Sequence, residues 1–541
     1  MTNFARHFSR IRAFRQTRLA ASRRCRIYLA KRPLCTMLKR PKTDGEGTQT
    51  NDVAQIGGTG YATLQAAIDA AKSGDTIVLK KSISATEIGE KKQLRFVKAD
   101  MNVTLDLNQN TITAEAGEAI AINAANITLT VKNGTIENFA EGSDSDGVYA
   151  YKESNNLTLT FENIVLKSRT QGLAVQGLTS NSNVNIVNSN ITSTEGLGIY
   201  YPPKSGTLTI SDSEITGVTG IVVKGSNLVV NGEKTIISGT GPNVDPETYY
   251  TGATDGSSTL TETGDAVYVE SGYNDRDISV SISGGHLNSK NAKAVRMFVK
   301  NGENTSAKRE ISVTGGTFSS DVSAYVAKGY VQNENGTVEQ LGETNAVAKI
   351  DDTYYKTLAD AVAAVQNGDT ITLLKDVDLG NTVTVANKTV TLNMAGKTIY
   401  NTKDLWDSKL NAWSLISVRE NGNLTITGDG TLKAKADDCY ALDTQERSAK
   451  LTVENGTVIG NISAIYAFLG EVTINGGSYS IQQLNTNNVQ DGYGLTINCY
   501  DQNYKEKTAK ITVTGGYFAH FDPANNKAEG VGTNFVKDGY Y

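Results

Sequence analysis

Proline, histidine, cysteine and tryptophan are all rare in this sequence. Its 541 residues include 7 Pro, 3 His, 4 Cys and 2 Trp, whereas Gly occurs 52 times. Many glycines and few prolines favour short strands joined by tight turns, and they disfavour a helical bundle. Apolar residues make up 38% of the chain. That share is below the usual one for a globular protein, and a thin, elongated core tolerates it better than a spherical core does.

The scarcity of histidine argues against several kinds of catalysis. Ser-His-Asp and Cys-His mechanisms and protein-bound zinc all rely on histidine. His7 lies near the N-terminus, and His286 and His520 occupy or adjoin the turn after a Gly-Gly pair. We therefore expect the latter two to be surface residues. The sequence predicts no cofactor and no metal site.

The cysteine spacing and the hydropathy of the chain argue against a cysteine metal site and against a membrane-spanning helix. No two cysteines have the CxxC spacing of a metal site. Cys439 and Cys499 could form a disulfide, but two separate buried thiols are the favoured interpretation. No stretch approaches the roughly 20 apolar residues of a membrane-spanning helix. The N-terminus also lacks the apolar run of a secretory signal peptide.

Charge divides the chain into two parts. Residues 1–43 contain thirteen Lys or Arg and no Asp or Glu, so the remainder is acidic. Such an arm is expected to be disordered, and it could bind nucleic acid or an acidic surface. It could also attach the protein to a virion, or it could reflect an incorrectly assigned start, because Met37 offers a later one. We assign residues 1–53 to this arm and a polar linker.

One segment of the sequence occurs twice. YATLQAAIDAAKSGDTIVLKK (61–81) aligns without a gap with YKTLADAVAAVQNGDTITLLK (355–375). Leu64, Ala67, Ile68 and Ala71 fall at i, i+3, i+4 and i+7, which is the apolar stripe of a short helix. The pattern predicts helices over 63–73 and 357–367. Each would cover the open strand edge at the start of a unit.

Short strands recur after each helix, and each is followed by a small-residue turn and another apolar residue. Examples are LTFENIVL and VNIVNSNI in the first unit and LTITGDGTL and LTVENGTV in the second. Equivalent apolar positions recur every 20 to 27 residues, which is the length of one solenoid coil. The alternation predicts that one set of side chains points into a continuous core. This set contains Ile186, Ile210, Ile426, Val453 and Ile474.

The turn motifs carry a family resemblance. They read ISGGHL at 282–287, VTGGTF at 313–318 and VTGGYF at 513–518, and the units close with YVAKGY (325–330) and FVKDGY (535–540). Together with GDTI after each helix, these motifs resemble the pectate-lyase-like, right-handed parallel β-helices of bacterial adhesin-like surface proteins, which also occur in phage appendages. The resemblance covers roughly residues 54–541. It implies an all-β solenoid, and the repeats divide this solenoid into units at 54–345 and 346–541 that each open with a short amphipathic capping helix.

The fold alone does not assign a function, because it hosts lyases, hydrolases, adhesins and phage spikes. Glycoside hydrolysis needs two carboxylates about 5–9.5 Å apart. The acidic pairs are Asp351-Asp352, in a turn, and Asp437-Asp438, with Asp443 nearby. We interpret both pairs as solvated turns. The arginines of the second unit, Arg419 and Arg447, lie in no lyase-like motif, so no catalytic residue is predicted.

Aromatic residues in irregular insertions are the candidate binding residues. Trp406 and Trp413 lie in the excursion over 401–413, which we expect to project with at least one indole partly exposed. Exposed Trp and Tyr are common platforms for sugars and protein partners. The alternative is that these rings pack against the solenoid. The other candidates lie in the excursion over 239–263 and before Pro202-Pro203: Tyr249, Tyr250, Tyr200 and Tyr201.

The leading hypothesis is a non-catalytic, adhesin-like scaffold at a bacterial cell surface or in the extracellular space. Its partner would be a glycan or a surface protein. The second hypothesis is a virion appendage of the same fold. If it is a fibre, the protein could form a homo-oligomer. A polysaccharide lyase or hydrolase is the third, disfavoured because the catalytic signatures are missing.

Overall fold

The computed structural model describes residues 51–141, 144–249, 261–271, 273, 275–299, 307–408, 413–436, 439–483 and 494–540. It is a right-handed parallel β-helix, as the repeats predict. Each regular coil contributes a strand to a first, a second and a third face, in that order. We call the coils before residue 346 unit one and those after it unit two.

In unit one, the first and second faces merge into one sheet because several strands continue through the bend between them. Its strands are Ala54–Ile56, Thr59–Tyr61, Thr76–Leu79, Asn102–Asp106, Thr111–Ala114, Thr128–Asn138, Thr158–Ser168, Ser182–Val187, Asn190–Ser193, Gly206–Ser211, Glu214–Gly217, Ser226–Asn231, Ile236–Gly239, Ile278–Ser289 and Arg309–Phe318. The third-face strands are Leu94–Phe96, Glu118–Ile122, Asp146–Ala150, Gln171–Val175, Leu197–Tyr201, Thr219–Val223, Val267–Glu270 and Val295–Phe298. A hairpin of Tyr330–Gln332 and Val338–Gln340 follows.

In unit two the three faces are separate sheets. The first-face sheet contains Ala348–Ile350, Thr353–Tyr355, Thr370–Leu373, Thr389–Asn393, Asn423–Thr427, Lys450–Val453, Gly470–Ile474 and Ala509–Val513. The second-face strands are Val377–Asp378, Thr398–Tyr400, Thr431–Lys433, Thr457–Gly460, Ser478–Ile481 and Tyr517–Phe518. The third-face strands are Val383–Ala386, Ser414–Arg419, Tyr440–Thr444, Ser463–Ala467 and Ile497–Cys499.

The α-helices are short. They are α1 (Leu64–Ala70), α2 (Ala85–Ile88), α3 (Leu358–Ala364) and α4 (Asp501–Lys505), with 3-10 turns at Pro246–Tyr249 and Ser323–Tyr325. The predicted helices α1 and α3 are confirmed, although both end before the predicted residue. Thr63 and Thr357 cap them by accepting a backbone N–H bond.

The open strand edge at the start of each unit is covered differently from the expectation. An added strand, Ala54–Ile56 or Ala348–Ile350, pairs antiparallel with the first strand of the coil. The helix packs beside it and buries Leu64, Ala67 and Ile68 in unit one. A helix cannot satisfy the free N–H and C=O groups of an edge strand, whereas another strand can. The helix therefore covers the start of each unit together with an added strand, and the strand satisfies the edge groups.

The predicted register of the core is confirmed. All five predicted inward residues, at 186, 210, 426, 453 and 474, have no exposed surface. Ile186 lies in register with Ile210, and Val453 lies between Ile426 and Ile474 on neighbouring coils. The buried apolar side chains form two large clusters, one over residues 53–338 and one over 348–535. The domain boundary at 345/346 stays a prediction.

Two columns of residues let the coils turn tightly. Asp100, Asn126, Asn156 and Asn181 adopt left-handed backbone angles, with φ between 53° and 61°. Their side chains bond from coil to coil, with 2.8 Å between Asn156 Nδ2 and Asn126 Oδ1. On the third face, a Cβ added to Gly198 would lie 2.4 Å from the carbonyl oxygen of the next coil. Asn tolerates the left-handed conformation, and Gly permits the close approach.

Candidate functional site

The excursion after Ile399 is anchored at its base and exposed at Trp406. Asn401 is buried, donates to the Lys403 carbonyl at 2.7 Å and accepts from the Lys435 N–H at 2.8 Å. Leu405 inserts into the core of unit two. Trp406 itself is 47% exposed. The structure therefore places this indole at the surface on an anchored segment, while residues 409–412 lie outside the described residues.

Two aromatic pairs lie on and beside the third-face strands of unit two. The Trp406 and Trp413 ring centroids are 4.9 Å apart, with the planes tilted by 58°. Tyr440 and Tyr466 stack at 4.8 Å with a plane angle of 17°. The Tyr440 N–H donates to the Trp413 carbonyl at 3.2 Å, which connects the two pairs. We call these four residues the aromatic patch; Trp413, Tyr440 and Tyr466 are each partly buried.

The sequence pattern did not single out Tyr440 and Tyr466. Both precede or occupy regular strands, so neither lies in an irregular insertion. A signal was nevertheless present, because Asp443 and Tyr466 occupy the same register position on successive coils. Side chains at this position point outward, so an aromatic residue there faces solvent or an insertion.

A polar network lies on the outer side of the same strands. Asp443 is fully buried, and the Gln445 amide donates to it at 2.8 Å. Arg419 Nε donates to Ser417 Oγ at 3.0 Å. Burial raises the pKa of Asp443, and hydrogen bonds from Ser417 and Gln445 oppose that rise. Asp443 is thus a buried structural group, while Asp437 and Asp438, which were interpreted as a solvated turn, lie outside the described residues.

The tyrosine candidates fall into different environments. Tyr200 points outward from the third face of unit one and is partly buried. Tyr201 is fully buried, and its hydroxyl donates to the Ser182 carbonyl. The expectation of an exposed ring is therefore wrong for Tyr201, because alternation along the strand directs it into the core. Tyr249 ends a 3-10 turn, and Tyr250 lies outside the described residues.

The remaining candidates occupy surface or core positions. His286, His520, Arg447 and the Asp351-Asp352 turn are exposed, in line with the sequence interpretation. Cys439 and Cys499 are both buried and unbonded, which overturns the possible disulfide and confirms two separate thiols. The Cys439 thiol donates to the Trp413 carbonyl at 2.7 Å, and burial raises the pKa of Cys499.

The described ranges contain neither a cluster of metal-ligand side chains nor a membrane-spanning helix. No group of three or more His, Cys, Asp or Glu side chains there is arranged to hold a metal ion. None of the helices described is both long and apolar enough to cross a membrane.

One comparison with known proteins supports the fold. A sequence model of the right-handed β-helix region matches residues 92–235. No curated protein matches the chain. Two similar solved structures are the PL6 family alginate lyase AlyGC and a single-residue variant of it. Each is 11% identical, with TM-scores of 0.17 and 0.18, over 86% of this chain and 89% and 88% of theirs. At such TM-scores the likeness carries no argument.

Proposed function

We propose that this protein is a non-catalytic, adhesin-like scaffold displayed at a bacterial surface, and that the aromatic patch binds glycan. The observation that carries the proposal is the pair of adjoining aromatic pairs, Trp406 with Trp413 and Tyr440 with Tyr466, at one edge of the third face. Trp406 is the most exposed of the four.

The physical argument concerns where binding free energy comes from. The flat first faces are rich in Thr and Asn, and such faces are well hydrated. Aromatic rings offer a large area that loses water at a low entropic cost. The base of the excursion fixes Trp406, because Asn401 is hydrogen-bonded and Leu405 is buried. A sugar ring can therefore stack on an indole whose position is already restricted.

Polar groups around the indole supply hydrogen bonds to sugar hydroxyls. Lys403 and Asp404 are exposed beside Trp406, and Asp404 accepts the Trp406 backbone N–H at 3.0 Å. Stacking surface beside exposed donors and acceptors is the combination that a carbohydrate requires. A protein partner is the alternative ligand.

The test is a glycan array with purified protein and a Trp406→Ala/Trp413→Ala double variant. We expect the double variant to lose about tenfold or more in affinity for the glycans that the parent binds, with a nearly unchanged unfolding temperature. Phe139→Ala is the matched control, because Phe139 is 48% exposed in unit one. Equal binding by parent and double variant contradicts the proposed site.

The absence of catalysis is a separate part of the proposal. We expect no release of reducing ends or unsaturated products from pectin, alginate or host-type glycans. Turnover that is abolished by Asp437→Ala or Asp438→Ala would establish a hydrolase or lyase instead. The buried, hydrogen-bonded state of Asp443 supports the non-catalytic proposal, because its carboxyl is not accessible to a polymer.

The proposed location has its own test. Antibodies against unit two should label intact producing cells, and protease added outside should remove the label. Labelling of phage particles instead would assign the protein to a virion appendage of the same fold.

A further inference from the structure

A cleft lies on the outer side of the third face of unit one, and none of its residues belongs to the aromatic patch. Its volume is about 350 Å³. Tyr200 and Leu197 contribute ring and aliphatic surface, and Gln171 contributes an amide. The polar lining also includes the carboxylates of Asp144, Glu195 and Glu262.

Strand register explains why Tyr200 faces this cleft. Tyr149, Ala174 and Tyr200 occupy one outward column on successive coils, spaced about 4.8 Å apart. Tyr200 is partly buried, and Lys224 Nζ lies 5.7 Å from its ring centroid. Ala174 separates Tyr149 from Tyr200 in this column, and Tyr149 contacts Tyr151 of its own coil at 4.7 Å between centroids. The Tyr200 ring is thus a supported platform rather than a free side chain.

One wall of the cleft is fixed by a buried polar network. Glu262 directly precedes Thr263, which is fully buried and donates from its hydroxyl to Asp265 at 2.7 Å. Asp265 in turn pairs with Arg296 through two contacts, at 2.8 and 2.9 Å. The same guanidinium donates to Asn243 at 2.6 Å, which ties the preceding insertion to the wall. A rigid wall lowers the entropy lost on binding.

A buried ion pair lies beside the platform. Lys224 and Glu270 are 3.3 Å apart and have almost no exposed surface. Lys224 directly follows the strand Thr219–Val223, which pairs with the Tyr200 strand, and Glu270 ends the next strand, Val267–Glu270. Removing charges from water is costly, and loss of one partner would leave a buried charge without compensation. We therefore expect the two side chains to keep this arrangement beside the outer face on which Tyr200 lies.

We propose that this cleft is a binding subsite for an uncharged sugar chain. The inference rests on the proposed glycan-binding function, and it names the chemical class of the glycan. A pyranose ring presents an apolar face and a rim of hydroxyls. Tyr200 and Leu197 match the apolar face, while the Gln171 amide and the carboxylates match the hydroxyls.

The charge of the cleft argues against a polyuronate. Within the described part of the chain, neither Asp144 nor Glu262 forms an ion pair, although Glu195 lies 3.7 Å from Arg169. Beneath them, burial and the charge of Asp144 raise the pKa of Asp146 to about 6. A polyuronate would bring further carboxylates into this field, and like charges at close range repel.

The experiment measures affinity by calorimetry for neutral glucan, xylan, mannan and galactan fragments, and for oligogalacturonate and oligomannuronate. The variants are Tyr200→Leu, which keeps an apolar side chain without the ring, and Tyr200→Phe, which keeps the ring. We expect a neutral fragment to bind, with about a tenfold loss in Tyr200→Leu and no more than about a threefold change in Tyr200→Phe. Both variants should keep the parent's unfolding temperature within a few degrees.

A second comparison tests the charge argument directly. Asp144→Asn/Glu262→Gln keeps hydrogen-bonding groups but removes two negative charges. We expect oligouronate affinity to rise several-fold at low salt, with neutral binding unchanged. Preferential binding of uronates by the parent overturns the proposal, as does neutral binding that Tyr200→Leu leaves intact or an absence of binding to every neutral fragment.

The outcomes also separate this subsite from the aromatic patch. Loss of neutral binding in Tyr200→Leu alone supports the cleft and contradicts the patch. Loss in Trp406→Ala/Trp413→Ala alone supports the patch and contradicts the cleft. Loss in both sets supports two subsites for one class of ligand.

Discussion

The third face carries different chemistry in the two units. In unit one, the Arg296 guanidinium holds Asn243 at this face, and buried pairs such as Lys224 with Glu270 lie outside the solenoid core. In unit two, the same face carries stacked aromatic rings and an exposed indole. Coils of one kind therefore support two kinds of surface, because inward side chains determine the coil while outward side chains and insertions determine the site.

The space available for a Cβ atom near the start of the third-face strands also differs between the units. The second residue of the strand is Gly198 in unit one and Ala441 in unit two, and Ala441 is fully buried. The missing Cβ at Gly198 would contact the carbonyl oxygen of Gly220 at 2.4 Å. At this corner, which Gly147, Gly172, Gly198 and Gly220 occupy, the coils of unit one approach each other more closely than a methyl group allows, whereas an earlier coil has Ala119 at this position.

The largest expected effect tests whether the two apolar cores unfold in separate transitions. Ile210→Asp in unit one and Ile474→Asp in unit two each place a charge in a dry stack, at a cost of about 4 kcal/mol or more. Because the two residues belong to different apolar clusters, we expect each variant to lower only one of two transitions in calorimetry. A single transition lowered equally by both variants would show that the units unfold together.

A smaller effect tests the glycine corner. We expect Gly198→Ala to reduce the free energy of unfolding by about 2–4 kcal/mol, because the new methyl group meets fixed backbone. The reciprocal change, Ala441→Gly, should cost only about 1 kcal/mol through backbone entropy and lost packing. Chemical denaturation of both variants measures the difference. Equal costs would mean that the corners of the two units are equivalent.

The stability of the two units should depend on pH over different ranges. Burial raises the pKa of Glu529 from 4.5 to about 7, and the charge of Asp501 adds to the rise. A carboxyl with a raised folded-state pKa keeps its proton while the unfolded chain loses it, so stability falls as pH rises from 4.5 to about 7.

The matched variants for this titration are Glu529→Gln and Asp146→Asn. Glu529→Gln should reduce the loss of stability that unit two shows between pH 4.5 and about 7. Asp146, whose pKa is raised from 3.8 to about 6, should give unit one a fall at lower pH, which Asp146→Asn removes. Thermal unfolding measured from pH 4 to pH 8 provides the measurement. An unchanged pH slope in Glu529→Gln would contradict the assignment.

The smallest expected effect concerns the thiols of unit two. Cys439 and Cys499 are buried and unbonded, so adding a reductant should leave the unfolding temperature unchanged. Cys439→Ala should cost about 1 kcal/mol through lost packing. A drop in unfolding temperature with reductant would indicate a disulfide that the structure does not contain.

The repeats, both capping helices and the inward register could be read from the sequence, because each depends on neighbours within one coil. Alternation alone assigned Ile186 and Ile474 to the core. Tyr201 shows the limit of composition-based reasoning, because its position beside Pro202-Pro203 suggested exposure while the strand parity buries it. The added strand at each unit's start was missed, because its partner lies about 20 residues further along the chain.

The sequence by itself determined the class of coil, since period and turn residues are local properties. Only the tertiary structure decided which side chains share a surface. Trp413 meets Tyr440, Lys224 meets Glu270, and Asp265 meets Arg296 across 27 to 46 residues of chain. Those pairings depend on coil length and on how insertions fold back over a face. Both are set by packing between coils rather than by any local pattern.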